Sequence, residues 1–440
     1  MESLKIKKIT TALSALLLLA AYPYPALATT QVFMSRSDGA IAAAVNPSIT
    51  QVSSSNFNNL PGGDGVVPVA GTFKNLYVYI DAAMGVGNSF TITLRKNGSN
   101  QTLTCTISSG SNSCSDIAHT VSVAVGDKMN YNVTVSGTPS AVIYFSVGFS
   151  PSTSNEVIVF SVAGANTIAT TIFYQGFGQG VGPNATESGR QTIFPEPGVA
   201  SQLNIGLNAA PGSGTSYTFT TKQSSATTSQ TCTIADTATT CADTTNSLTI
   251  AAGDRLYIAG MPANTPTATR LGAGLRFVPD IFGRFLLIGA GSSNQGTSST
   301  TFIPVNGLRI VDSVAAGASS TEAVQPMVIK KMSVYLPTAP GASKTRTVTL
   351  VVNGTDSALT CAVTGSGVTT NTCTGNVTLN QGDMVYLRQD PSGTPANSAV
   401  YVTLSAIYAG DTPARSLRLF EGSRIKINTG KIIIYPTSNQ

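Results

Sequence analysis

The stretch Leu76-Tyr-Val-Tyr-Ile80, then Phe90-Thr-Ile-Thr-Leu94, Asn97-Gly98, Cys105-Thr-Ile107 and Gly126-Asp127 decides the fold, because its pattern occurs three times. Cys105-Thr-Ile107, Cys232-Thr-Ile234 and Cys361-Ala-Val363 start 127 and 129 residues apart, and Gly126-Asp127, Gly253-Asp254 and Gly382-Asp383 repeat those offsets. Upstream, Leu76, Val78 and Ile80 align with Leu203, Ile205 and Leu207, and with Met332, Val334 and Leu336. Two independent anchors and an apolar ladder in one register mark an internal repeat.

The ladders alternate with period two, the signature of a half-buried strand. The next strand is Phe90–Leu94, aligned with 217–221 and 347–351. Asn97-Gly98 and Asn353-Gly354 follow, a pair suited to the positive φ of a tight hairpin. Copy two has Gln223-Ser224 there, which predicts a different or longer turn. Further strands carry the first cysteine, the run into Gly-Asp, the run after it, and a last apolar stretch. The second cysteine falls in a Ser/Thr/Asn-rich return, and each unit opens with an apolar strand near Val32, Val157 or Phe285. Seven to nine short strands in about 127 residues, without a convincing helix, predict an all-β chain. The expected architecture is three tandem antiparallel β-sandwich, jelly-roll-like domains after a cleaved signal peptide.

The boundaries read as 1–28 signal peptide, 29–152, 153–280 and 281–411 for the repeats, and 412–440 for a β-prone tail. Lys5, Lys7 and Lys8 precede a short apolar run, Leu13 to Ala21, and Ala26-Leu-Ala28 suits cleavage. That run is short for a membrane span, and no later one is long enough. The reading is therefore secretion to the exterior or cell surface, with no membrane span in the mature chain. Short joins at Ser150-Pro-Ser152 and Val278-Pro-Asp280 predict lobes that touch.

At this point Val67-Pro-Val-Ala-Gly-Thr-Phe73, Leu94-Arg-Lys-Asn-Gly98 and Val123-Ala-Val-Gly-Asp127 resemble the C-terminal modules of bacterial collagen-like and spore-surface proteins, of the TNF/C1q-like class. The resemblance covers about half of each unit and carries no catalytic residues. It implies a compact ten-strand jelly roll that groups in threes, so that three joined copies would form a pseudo-trimer within one chain. The cysteine pair and the missing Asn-Gly of copy two depart from that pattern.

Export permits disulfides. The spacing predicts three local bridges: Cys105 with Cys114, Cys232 with Cys241, and Cys361 with Cys373. Zinc is disfavoured, since structural zinc cysteines sit two to four residues apart and histidine occurs once. That residue, His119, reads as a surface histidine ahead of a catalytic base. Gly126, Asp127, Gly253, Asp254, Gly382 and Asp383 read as strand turns ahead of a calcium or carbohydrate site. Asp116 and Asp243 have no counterpart in copy three, which has Gly375 nearby, so a shared metal site is not expected. Glycine-rich stretches lack a phosphate-cradle signature. Loop aromatics Phe57, Phe173, Tyr174 and Phe177 are candidate sugar platforms, with packing under loops the favoured alternative.

The chain has 440 residues, only 10% charged, and a formal net charge of +5. Such sparse charge argues against a nucleic-acid partner. The tail alternates around Ile425 and Ile427, turns at Asn428-Thr-Gly430 and runs through Ile432, Ile433 and Ile434. It reads as a hairpin closing the third lobe or as an assembly strand for a neighbouring subunit's sheet edge. No catalytic residue, metal or cofactor is expected. The functional expectation is a non-enzymatic structural protein of a bacterial extracellular assembly, partnered by itself or other surface proteins. The alternative is an adhesin or glycan-binding module using loops at one end of the sandwiches.

Overall fold

The computed structural model describes residues 29–37, 40–42, 48–49, 64–162, 167–168, 171–178, 182–309, 320–323, 325–409, 424–428 and 431–435. Residues 1–28, read above as a signal peptide, Phe57 and much of the tail lie outside them.

The second lobe displays the plan. Its eight main strands are, in chain order, Val157–Val162, Phe173–Gly176, Gly198–Leu207, Gly212–Gln223, Ala226–Asp236, Thr240–Ile250, Arg255–Ala263 and Leu271–Pro279. One sheet has the order first, eighth, third, sixth; the other has second, seventh, fourth, fifth. That interleaving of two four-stranded sheets is a jelly roll. The first lobe repeats it with Gln31–Arg36, Ser48–Ile49, Gly71–Ile80, Ser89–Lys96, Ser99–Ser108, Ser113–Val123, Lys128–Ser136 and Ile143–Pro151. The third repeats it with Arg284–Gln295, Thr301–Ile303, Met327–Tyr335, Gly341–Val352, Thr355–Gly365, Thr370–Leu379, Asp383–Ser392 and Ser398–Tyr408. Apolar side chains from both inner faces fill each sandwich, the ladder residues Leu76, Val78, Leu203, Ile205, Met332 and Val334 among them.

Four details differ from the sequence reading. The return holding the second cysteine is part of one long sixth strand, because it pairs with the third strand along its length. The hairpin of copy two is as tight as the others: Ser224 and Ser225 take φ 47° and 76°, where Asn97-Gly98 take 51° and 80°. Serine is tolerated because its hydroxyl is held by the neighbouring turn, as described below. The fourth strand of copy three aligns one residue earlier, at Arg346-Thr-Val-Thr-Leu350, since Arg346 pairs with Val363 as Tyr217 pairs with Ile234 and Phe90 with Ile107. A short 3-10 helix, Glu187–Arg190, also stands in the second lobe.

Candidate functional site: the seams between the lobes

Each lobe carries a short strand immediately before its third strand: Gly65–Val66, Thr192–Ile193 and Thr321–Ala323. It hydrogen-bonds to the seventh strand of its own lobe. Its other side packs against the following lobe: the first lobe's on the second, the second's on the third, and the third's on the first. The three contacts therefore close a ring with cyclic pseudo-symmetry, a heterologous packing that terminates on itself.

The seams use different chemistry at equivalent positions. Between lobes one and two the fit is backbone on glycine. A Cβ on Gly272 or Gly274 would lie 1.9 or 1.8 Å from the carbonyl oxygens of Asp64 and Val66, so only glycine lets that strand approach. Val69 is buried here. Between lobes two and three, tyrosines stand at the places of Gly206 and Gly272: Tyr401 Oη donates to the Gly189 carbonyl at 2.7 Å, and Tyr335 Oη to the Ser188 carbonyl at 3.3 Å. The two rings stack at 5.8 Å, and the Arg255 guanidinium lies 5.0 Å from the Tyr335 ring centre. Burial pushes the Tyr335 phenol up to about 12, so it remains a donor at neutral pH.

Glu196 stands where Val69 stands in the first seam, and is 0% exposed. Its carboxylate accepts from Lys331 Nζ at 2.6 Å and from Ser405 Oγ at 2.6 Å, and lies 3.5 Å from Arg284 Nε. All three belong to the third lobe. A buried carboxylate needs such partners. At the third seam the equivalent residue is Gln325, whose amide donates to the Asn75 carbonyl at 3.2 Å. Asn75 (φ 56°) sits where the third strand of lobe one bulges against its neighbours.

The first strands of the lobes meet at the centre. In lobes one and two the first strand ends its sheet, whereas in lobe three a short parallel strand, Gly307–Arg309, lies outside it. Exposed edges invite uncontrolled pairing, and here side-chain amides bond the backbone of these strands. Gln31 donates to the Ile158 carbonyl at 2.8 Å and accepts from the Ile158 N–H at 2.9 Å. Asn306 accepts from Ile288 N at 3.1 Å and donates to the Met34 carbonyl. The Gly178 N–H reaches the Phe160 carbonyl at 2.7 Å. Val32 and Met34 consequently join the apolar core of lobes two and three, while Ile158, Phe160 and Val162 join that of lobe one. The central cavity is about 10 Å³, the size of one water at most.

The repeated aspartates act as turn clasps. Asp127 accepts from the Ala124 N–H and from Asn97 Nδ2, while Asn97 Oδ1 accepts from the Lys128 N–H. Asp383 and Asn353 repeat this bond for bond. In lobe two Ser224 Oγ bonds Asp254 and accepts from Arg255 N–H. Gly126, Gly253 and Gly382 take φ 90°, 95° and 92°. The clasp ties the hairpin between the fourth and fifth strands to the turn before the seventh.

The disulfides Cys105–Cys114, Cys232–Cys241 and Cys361–Cys373 join the fifth and sixth strands, which lie in opposite sheets. In two lobes an aspartate reinforces the staple. Burial alone would raise the pKa of Asp243, but N–H donors from Asn246, Thr231 and Thr245 outweigh it and hold the carboxyl at about 2. Asp116 is lowered the same way and also meets His119 Nδ1 at 3.0 Å. The His119 ring is 57% exposed, and no hydroxyl or thiol bonds its other nitrogen among the described residues. No three His, Cys, Asp or Glu side chains gather into a metal-holding group among the described residues. Phe173 and Phe177 are core residues, and Tyr174 leans on Tyr257, so these aromatics do not form a sugar platform. No described helix is long and apolar enough to cross a membrane.

Gln31, Glu196, Asn306 and Gln325 escape the sequence reading. The one available signal is position 69/196/325, where the aligned copies differ as Val, Glu and Gln.

No family model and no curated protein matches the chain. Among solved structures, it is similar to a chain of the atomic structure of Sulfolobus Turreted Icosahedral Virus. The two are 11% identical over 86% of this chain and 91% of that one, with a TM-score of 0.21. At that score the likeness carries no argument.

Proposed function

We propose that this chain is a non-enzymatic structural subunit of an extracellular or cell-surface assembly, which presents three jelly rolls as one pre-closed pseudo-trimer. The observation that carries the reading is the closed cycle of seams: buried contacts serve lobe-to-lobe packing. The three disulfides suit an oxidising compartment, and the signal-like N-terminus supports secretion. The cyclic packing also accords with the grouping in threes that the TNF/C1q-like resemblance implies. Electron microscopy of the oxidised chain over a concentration series tests the proposal. Ordered filaments, sheets or shells are expected; single three-lobed particles at every concentration would overturn it.

A further inference from the structure

The tail is unlike the rest of the chain in charge. Residues 29–411 hold 17 basic and 18 acidic side chains, whereas 412–440 hold five basic and one acidic. Within the tail, Arg424–Asn428 pairs antiparallel with Lys431–Tyr435 and forms a two-stranded sheet of its own. The register puts positions 425, 427, 432 and 434, all isoleucine, on one face. An isolated two-stranded hairpin is marginally stable in water and needs another sheet. Neither of its strands pairs with a further strand among the described residues.

The perimeter of the ring supplies what the hairpin lacks. The fifth and sixth strands end their sheets in every lobe. These six strands are 10 or 11 residues long and contain no Lys, Arg or Pro, the residues that normally blunt an edge. They hold four aspartates; Asp236 accepts from the Gly214 N–H, and Asp356 pairs with Arg388 at 2.6 and 2.9 Å while staying half exposed. In lobes one and two, Asp116 and Asp243 already occupy the outward N–H groups of Thr104 and Thr231. Lobe three has Gly375 at that position, and Asn371 covers just the Ala362 carbonyl. Its edge, Thr355–Gly365 with Thr370–Leu379, is the least protected. The tether from Ala409 to Arg424 spans fourteen residues, with a reach of about 46–50 Å. The hairpin nevertheless pairs with no strand of its own lobes among the described residues.

We infer that the hairpin of one copy adds to the open edge of the third lobe of a second copy, joining subunits by β-augmentation. This rests on the structural-subunit reading and names its contact. The test mixes ¹⁴N- and ¹⁵N-labelled full-length oxidised chain, applies a zero-length amine-to-carboxyl cross-linker, and reads peptides by mass spectrometry. Mixed-isotope peptides joining Lys426 or Lys431 to Asp356 are expected. Same-isotope peptides alone would place the hairpin on its own chain and overturn the inference. Ile433→Pro, which removes a strand N–H, should weaken self-association at least tenfold without moving the melting of the lobes. Equal association by that variant would overturn the hairpin contact and leave the subunit reading standing. A wild-type chain that never associates would overturn both.

Discussion

Glu196→Gln tests the second seam most sharply. The carboxylate is fully buried and touches Lys331 Nζ and Ser405 Oγ, each at 2.6 Å. Removing one side of a buried ion pair costs about 3–5 kcal/mol, because the other charge is stranded. Lys331 keeps 20% of its side chain exposed and Arg284 keeps 12%, so both can turn partly to water. Glutamine also still accepts from Ser405. We therefore expect a loss of about 2–3 kcal/mol at pH 7, below that range because both cations can rehydrate in part. Urea titration followed by circular dichroism measures it. Lys331→Met and the double variant complete a cycle, with an expected coupling of about 2 kcal/mol. A loss below about 0.5 kcal/mol, or full additivity in the cycle, would refute the view that Glu196 locks lobe two to lobe three.

Gly274→Ala places a Cβ 1.8 Å from the Val66 carbonyl oxygen, so stability should fall by about 3 kcal/mol and protease should cut between lobes one and two. A variant that melts with the wild type would contradict that contact. Asp243 has its folded pKa held at about 2, below its ordinary value of 3.8, so its contribution is present above about pH 4 and is lost as pH falls towards 2. Asp243→Asn should flatten that part of the acid-unfolding curve; an unchanged acid limb would count against a stabilising role for the Asp243 hydrogen bonds. Reducing the three disulfides opens loops of about ten residues, each worth about 2–3 kcal/mol in the chain-entropy model, so calorimetry under reductant should show a clear drop in melting temperature. No drop would mean that the staples do not limit stability.

Local pattern made the strands readable. Period-two ladders identified the third strands because those strands are half-buried between core and neighbour, and the Gly-Asp pairs marked turns because a positive φ must recur wherever the loop recurs. The one-residue slip in copy three arose where a side chain broke the pattern. Arg346 occupies the place of Phe90 and Tyr217 and is fully buried, its guanidinium donating to the carbonyls of Gln295, Gly296 and Ala396. A buried arginine resembles a surface residue in sequence, so the alignment slid past it. Ser224-Ser225 hid a tight turn because serine reaches positive φ with help from Asp254, a contact 30 residues away.

The seams were less legible for a different reason. Glu196 between Pro195 and Pro197 looks like a solvated loop charge, and Gly272 and Gly274 look like ordinary strand glycines. Their roles depend on where the next lobe sits. The tail's amphipathic pattern was visible, and among the described residues its hairpin forms a two-stranded sheet of its own.

The central claim is that three jelly rolls close into a ring. Small-angle X-ray scattering of the monomeric chain from residue 29 tests it most directly. Compact packing of about 410 residues gives a radius of gyration of about 22–25 Å, whereas three lobes in a row give about 33 Å or more. A value in the lower range, with a pair-distance distribution falling to zero early, is the expected result. A value near the higher one would contradict the ring and every role assigned to its seams.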